Sequence, residues 1–432
     1  MARAALACCW ALALAAAPAT AQEEFRFDVS QFEKKSYELN GYVELRGEHF
    51  VLDRDAALYQ LNNFDQAPRS RLTRGTGSIE LSGLYRQGIA TVQATAHAEA
   101  AHDSLDTERS FQWYEAYLTL QPGTGARIEA GKRALRWGKG YAFNPVGFVE
   151  RLKDPNDPEL SREGYVLLAG NFIHSFDGPL KTLAFTPLLL PTRDHLNSDF
   201  GPGKHLNPAA KLSLLYYDTD IDFLWQGKGA RGARYGFDFA RNFGSNLALH
   251  GEWARSHDVT QPVLSASGVR TQQTRNSTTS YLLGLRYITE RETTWIAEYY
   301  RNGIGYTEQQ LRDYFSFVHD AYDQYLASND ATQLERTRAF GNSYARANPA
   351  QRYFYLRASQ KEPFDILYFT PSVTLIQNLD DGSRSLSPEL LYTGITDLEL
   401  RLRLFLVSGE RLSDFGEKQN DRRAELRLRY SF

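Results

Sequence analysis

The chain has 432 residues with 49 basic and 52 acidic side chains, a formal net charge of −3, nine histidines and two cysteines. Mean hydropathy is −0.47, and no uncharged apolar run approaches the roughly 20 residues that a transmembrane helix requires, so a helical membrane protein is excluded. A balance this close to neutral gives no reason to expect a nucleic-acid partner.

Residues 1–21 hold one basic side chain, Arg3, an apolar run from residue 4 to about 17, and the small-residue site Ala19-Thr20-Ala21. This is the grammar of a secretory signal peptide, with cleavage expected before Gln22. Cys8 and Cys9 lie too early for a lipoprotein anchor and leave with the signal, so the exported chain is expected to carry no disulfide.

After a short leading segment, 22–38, stretches of period two recur to the last residue. Ala90, Val92, Ala94, Ala96, Ala98 and Ala100 alternate with Thr91, Gln93, Thr95, His97 and Glu99. Leu398, Leu400, Leu402, Leu404 and Leu406 alternate with Glu399, Arg401, Arg403 and Phe405. Segments of about ten residues with one apolar and one charged face fit a transmembrane β-barrel that has lipid outside and water inside.

Strands are predicted near 39–51, 76–86, 88–101, 110–120, 126–136, 164–174, 179–190, 209–217, 220–227, 232–242, 246–255, 279–289, 292–302, 351–360, 363–377, 386–395, 397–408 and 422–432. The gaps between them alternate: long at 52–75, 102–109, 137–163, 191–208, 256–278, 303–350 and 409–421, intermediate at 227–232 and 378–385, and short elsewhere. A barrel with short periplasmic turns, long extracellular loops and an even strand count gives this alternation, whereas a soluble sandwich has no reason to. The expected fold is therefore an all-β, transmembrane antiparallel barrel of 18 strands, or 16 if Pro187 and Pro388 break the segments that contain them, spanning 39–432.

Two connections carry distinctive sequences. In 137–163, Asp154-Pro155 and Asp157-Pro158 stiffen a loop whose Trp137, Tyr141, Phe143 and Phe148 need a surface to cover. Folded into the lumen, it would place Arg136, Lys139, Arg151, Lys153 and Arg162 near Glu150, Asp154, Asp157, Glu159 and Glu163 as a constriction with a transverse field; packed on the rim, it would be a cap. In 307–328, Leu311, Tyr314, Phe315, Val318, Tyr322, Tyr325 and Leu326 recur at three- and four-residue steps behind a Thr307/Gln310 capping box. That predicts an amphipathic helix in an extracellular loop, lying across the outer rim in preference to plugging the vestibule.

The face opposite the lipid would carry Glu44, Arg46 and Glu48; Arg127, Glu129 and Arg133; Arg286; Glu399, Arg401 and Arg403; and Glu425, Arg427 and Arg429. Arginine outnumbers lysine 38 to 11, and its planar fork suits carboxylates and phosphates as well as neighbouring glutamates. These pairs either brace the wall or form an anion-preferring path.

The final strand alternates and stops on an aromatic residue. With Leu428, Tyr430 and Phe432 it resembles the C-terminal signal of Gram-negative outer-membrane barrels, which implies outer-membrane lipid and the barrel-assembly machinery as partners. Residues 131–165, where a basic strand runs into a Trp-Gly turn and a Pro/Asp-rich loop, are similar to a junction in porin-like families, including alginate-export and other poorly characterised porin types. The resemblance implies a channel for small hydrophilic solutes, with homo-oligomerisation open.

No histidine pair has metal-ligand spacing and no Gly-x-Ser-x-Gly elbow occurs, so no catalytic, cofactor or metal site is expected. The segment before the first strand is too short for a plug domain, which disfavours a TonB-dependent receptor. The expected function is a porin-like channel for passive diffusion of small hydrophilic solutes, with anionic ones mildly preferred. Export of a polyanionic polysaccharide and a barrel scaffold for a partner are the alternatives.

Overall fold

The computed structural model describes residues 35–160 and 163–432, so the expected signal peptide, most of the 22–38 segment and Arg162 lie outside the described residues. Tyr37–Phe432 forms one compact unit. It is built on eighteen strands: β1 (Tyr37–Leu52), β2 (Arg71–Gln87), β3 (Ala90–His102), β4 (Thr107–Gly123), β5 (Ala126–Arg133), β6 (Tyr165–Ser175), β7 (Leu180–Thr192), β8 (His205–Tyr216) and β9 (Thr219–Gln226). The second half holds β10 (Arg234–Phe243), β11 (Leu247–Leu264), β12 (Arg270–Ile288), β13 (Thr293–Arg301), β14 (Arg352–Gln360), β15 (Phe369–Asn378), β16 (Arg384–Ile395), β17 (Leu398–Ser408) and β18 (Asn420–Ser431).

Each strand pairs antiparallel with its sequence neighbours, and β18 pairs with β1 from Tyr42↔Ser431 to Leu52↔Asn420, so the sheet closes without a free edge. Every segment read from alternation is a strand, and the count is 18 rather than 16. The two proline-bearing segments survive because each proline sits where a ladder is interrupted. Pro187 falls between the Ala169↔Leu188 and Phe172↔Phe185 pairs of β6 and β7, and Pro388 between Leu386↔Leu406 and Glu389↔Arg403 of β16 and β17, so neither costs the sheet a required N–H.

Odd-to-even connections, L1 to L9 in chain order, lie at the extracellular end. Several are shorter than the sequence predicts. L2 (103–106) is a four-residue turn, β2 begins at Arg71, and β11 and β12 run on as a projecting hairpin to L6 (265–269). Above the lipid the outer face meets water and no regular apolar alternation marks these extensions; cross-strand pairs such as Thr260 with Thr274 (2.9 Å between hydroxyls) and the packing of Leu264 under α2 hold them instead. β15 starts at Phe369 rather than 363 because Pro363 opens a tight turn in which Glu362, Phe364, Asp365 and Tyr368 adopt positive φ.

Outward-facing side chains are apolar, with Leu45, Leu283, Leu402 and Leu426 exposed in mid-strand. Tyr85, Tyr216, Phe243, Tyr287, Trp295 and Tyr430 sit near the periplasmic strand ends, the aromatic girdle of a bilayer-spanning barrel. The inward face buries Glu44, Glu48, Glu129, Glu298, Arg403, Glu425 and Arg427. No helix among the described residues is long and apolar enough to cross a membrane.

Among the described residues, three α-helices occupy extracellular loops. α1 (Ala57–Asn63), in L1, was not predicted, although Ala57, Leu58, Leu61 and Phe64 keep a helical step. α2 (Glu308–Ser328) starts as expected: Thr307 Oγ1 accepts from Gln310 N (3.2 Å), and Gln310 Oε1 accepts from Thr307 N (3.0 Å). α3 (Thr332–Phe340) follows it. α2 does not lie along the rim, which corrects the preferred sequence reading. At one side it meets the β11–β12 hairpin, and at the other α1 and L9, where His319 Nδ1 is 2.8 Å from Gln60 Oε1 and its Nε2 3.1 Å from the Glu417 carboxylate. β1 and β11 stand on opposite sides of an eighteen-stranded ring, so the helix crosses the mouth. Its stripe, Leu311, Tyr314, Phe315 and Val318, joins inward wall residues Leu282, Tyr353 and Tyr355 and the L3 residue Phe143 in one apolar cluster.

Candidate functional site

L3 (134–164) leaves β5 and crosses the lumen to walls on both sides. Two wall carboxylates hold its first limb. Glu252 on β11 accepts from Lys139 N (2.7 Å), Gly140 N (2.6 Å) and Val146 N (3.2 Å). Glu298 on β13 accepts from Tyr141 N, from Ala142 N at 2.9 Å and from Phe143 N at 3.4 Å, and lies 2.8 Å from His250 Nε2. Backbone N–H groups turned toward a carboxylate satisfy donors that a buried loop would otherwise leave orphaned. The approach needs glycine: Gly138 has φ +92°, and a Cβ at Gly140 would collide with the Phe143 carbonyl and crowd Glu252.

Charge decides which limb meets which wall. Asp222, Asp238 and Glu252 lie in register across β9, β10 and β11, and Lys139 Nζ comes to 3.2 Å from Asp222. Burial alone would lower the Lys139 ammonium, but Asp222 and Asp238 outweigh it and hold it above its ordinary value. The opposite wall is rich in paired arginines, and there the acidic limb docks: Asp157 reaches Arg427 (3.4 Å) and Arg403 (3.6 Å), and Asn156 O accepts from Arg403 Nη1 (3.3 Å). Between the limbs, Phe148, Val149 and Val146 pack with Leu167, Leu188, Ala209 and Leu224 of the β6–β9 wall.

The loop residues predicted to form a constriction are thus mostly anchors. Glu150 accepts from Trp137 N and Asn144 Nδ2, Arg151 pairs with Glu163 and Asp199, and Lys153 donates to the Gly140 and Tyr141 carbonyls. Asp154 accepts from Asn156 N (2.9 Å). Arg136 stays exposed beside a cavity of about 350 Å³ that is also lined by Glu80, Tyr114, Tyr117, Arg133 and Glu163. A second compartment of about 270 Å³ lies between L3 and the seam, lined by Arg46, Arg74, Arg403, Arg423 and Arg427 together with Glu48, Asp154, Asp157 and Glu425. Burial pushes the Tyr141 phenol, on L3, up to about 12.

No family model matches the chain, and no curated protein matches it. Solved structures do. It is similar to OccK5 (OpdH) of Pseudomonas aeruginosa, with 12% identity over 91% of this chain and 98% of that one and a TM-score of 0.51. Similarity to OccD3 (OpdP) of the same organism is 10% identity over 92% and 91%, TM-score 0.51, and to a substituted OccD1 (OprD) 11% over 93% and 98%, TM-score 0.50. The chain has the outer-membrane porin fold.

In this porin-type barrel the wall arginines named from the sequence sit on the inward strand face, and nearly all are paired. Arg427 meets Glu44 and Glu425, Arg429 meets Glu44 (2.6 Å), Arg401 meets Glu389 and Glu399, and Arg403 meets Glu389. Arg46 lies 3.6 Å from Glu48, and Arg127 and Arg133 both meet Glu129. Arg286 is exposed near the periplasmic end of β12. At the C-terminus, Leu428, Tyr430 and Phe432 are exposed, and Phe432 exchanges two backbone hydrogen bonds with Gly41 of β1, each 2.9 Å. Alternation along the strands places Glu252 and Glu298 on the inward face without marking either as an anchor; an acid inside the aromatic run of β13, Thr293–Arg301, is the available signal.

Proposed function

We propose that the protein is an outer-membrane channel through which small hydrophilic solutes diffuse, with L3 as its constriction. The observation that carries this reading is the seating of L3: clamped to the acidic wall at Glu252 and Glu298 and to the arginine wall at Asp157, it narrows a closed, polar-lined barrel and leaves polar compartments on its flanks. Solutes passing L3 move between a carboxylate-bearing wall and one of paired arginines and glutamates, and this narrowed, polar bore favours small polar molecules over bulky ones. Export of a long polyanion is disfavoured, because L3 and α2 both cross the bore. Anion preference is the finer clause. The seam arginines are balanced by their carboxylates, so a preference for anions would arise from arginines elsewhere.

Leu428, Tyr430 and Phe432 serve as the assembly signal in this reading, presented on the strand that closes the barrel. Stepwise conductance after insertion of purified protein into a planar bilayer, with a reversal potential on the anion side in a KCl gradient, is the expected result. A bilayer that stays silent would overturn the channel, and a cation-side reversal would overturn the anion clause alone.

A further inference from the structure

The arginines facing the interior fall into two groups. Those predicted on the wall are matched by carboxylates, as described above, with Arg286 at the periplasmic end the exception. Arg231, Arg234 and Arg346 are different: among the described residues, none of the three has a carboxylate within ion-pair distance. All three line one cavity of about 480 Å³ on the extracellular side of L3, between L3, L4, β10, the β11–β12 hairpin and L7.

Arg231 is oriented without being neutralised. Its guanidinium donates to the Phe200 and Phe148 carbonyls, the latter at 3.5 Å, and lies 4.0 Å over the Phe200 ring. Arg234 is half-buried at the start of β10, its backbone fixed between Gln226 and Ser256. Arg346 reaches the cavity from the far end of L7. The acids on this lining are Glu150 and Asp199, and both are engaged, Glu150 by Trp137 N and Asn144 and Asp199 by Arg151. Ser256, Thr260 and Asn348 add neutral polar groups to the same surface.

We propose that this cavity is an oxyanion site in the extracellular vestibule, taking inorganic phosphate or the phosphate group of a small phosphomonoester on its way to L3. The proposal rests on the channel reading and names its substrate class. Guanidinium forks match the oxygen geometry of phosphate. Two or more of them around one space favour a dianion, because a monocarboxylate leaves residual positive charge uncompensated. The volume lies within the range of small-molecule pockets, with room for an organic residue beyond the phosphate.

Two measurements on the full-length mature barrel test this. Titration calorimetry of inorganic phosphate into detergent-solubilised protein at low ionic strength should show saturable binding that acetate does not match. The Arg234→Gln/Arg346→Gln variant should weaken it at least about tenfold, while heat-shifted gel mobility shows the barrel still folded. No saturable binding, or binding unchanged in that variant, overturns the proposal. In planar bilayers, phosphate added on the extracellular side should reduce KCl current in the wild type and not in the variant. Conductance without phosphate binding sinks the site and leaves the channel standing; phosphate binding without conductance sinks the channel and leaves the site.

Discussion

Glu298→Ala isolates the seating of L3. The carboxylate is fully buried and accepts from Tyr141 N and from Ala142 N at 2.9 Å, with Phe143 N at a weaker 3.4 Å. Hydrogen bonds to a charged group contribute roughly 1.5–3 kcal/mol each, so losing the two good ones removes about 3–6 kcal/mol of anchoring. At about 1.4 kcal/mol per factor of ten, the detached population of the first limb should rise at least a hundredfold, with Glu252 holding what remains. The β13 ladder is untouched, so the barrel should fold. Single-channel recording should show a larger mean conductance and added flicker relative to wild type, whereas Glu399→Ala, which removes a partner of Arg401 only, should leave both unchanged. An unaltered trace from Glu298→Ala would refute the reasoning that this carboxylate holds the loop.

Three further outcomes follow from the same geometry. Phe315→Ala deletes a fully buried ring of α2 and should cost about 3–5 kcal/mol, read as lost hydrogen-exchange protection across 308–328 with the strands unaffected; retained protection would show that the helix is held by its polar ends. Leu402→Arg puts a charge on the outward face at mid-strand, opposite Leu390 and Leu426, and should lower the free energy of folding into bilayers by about 2–4 kcal/mol, whereas no change in denaturant titration would mean this face does not meet lipid. In L2, burial works to raise the Asp103 carboxyl, but Leu105 N (2.7 Å), Asp106 N (3.1 Å) and Arg74 (3.0 Å) hold it below its ordinary 3.8. A depressed folded-state value stabilises at pH above the unfolded value and is lost as pH falls through the folded one, so exchange at Leu105 and Asp106, corrected for intrinsic rate, should be flat from pH 7 to 5 and open below about pH 4.

What the sequence disclosed was whatever lipid imposes. Leu398 to Leu406 must alternate because one face meets hydrocarbon, and that constraint made each spanning strand legible. Where lipid ends, the signal ends: the Thr- and Arg-rich tops of β11 and β12 read as loop. Local chemistry also carried α2, whose cap and stripe are contiguous, but its placement depends on Gln60 and Glu417, far away in sequence. The candidate site was half legible for the same reason. Loop 137–163 announced that it must pack, through Trp137 and Phe148, yet its anchors, Glu252 and Glu298, lie more than a hundred residues on, and alternation says only that they point inward. Likewise the stripe of Arg401, Arg403, Arg427 and Arg429 left wall bracing and an anion path both open, and only the closure of β18 on β1, with Glu44 brought to 2.6 Å from Arg429, shows its charge to be matched.

The account depends on the two faces of every strand meeting different media. Beyond Cys9 the chain has no cysteine, so single cysteines can be introduced without background. In protein reconstituted in liposomes, a charged water-soluble thiol reagent should modify Arg286→Cys and Arg127→Cys, both exposed on the inward face, rapidly, and Leu285→Cys and Leu428→Cys scarcely at all. Equal labelling of the two sets would contradict a wet interior enclosed by a lipid-facing wall.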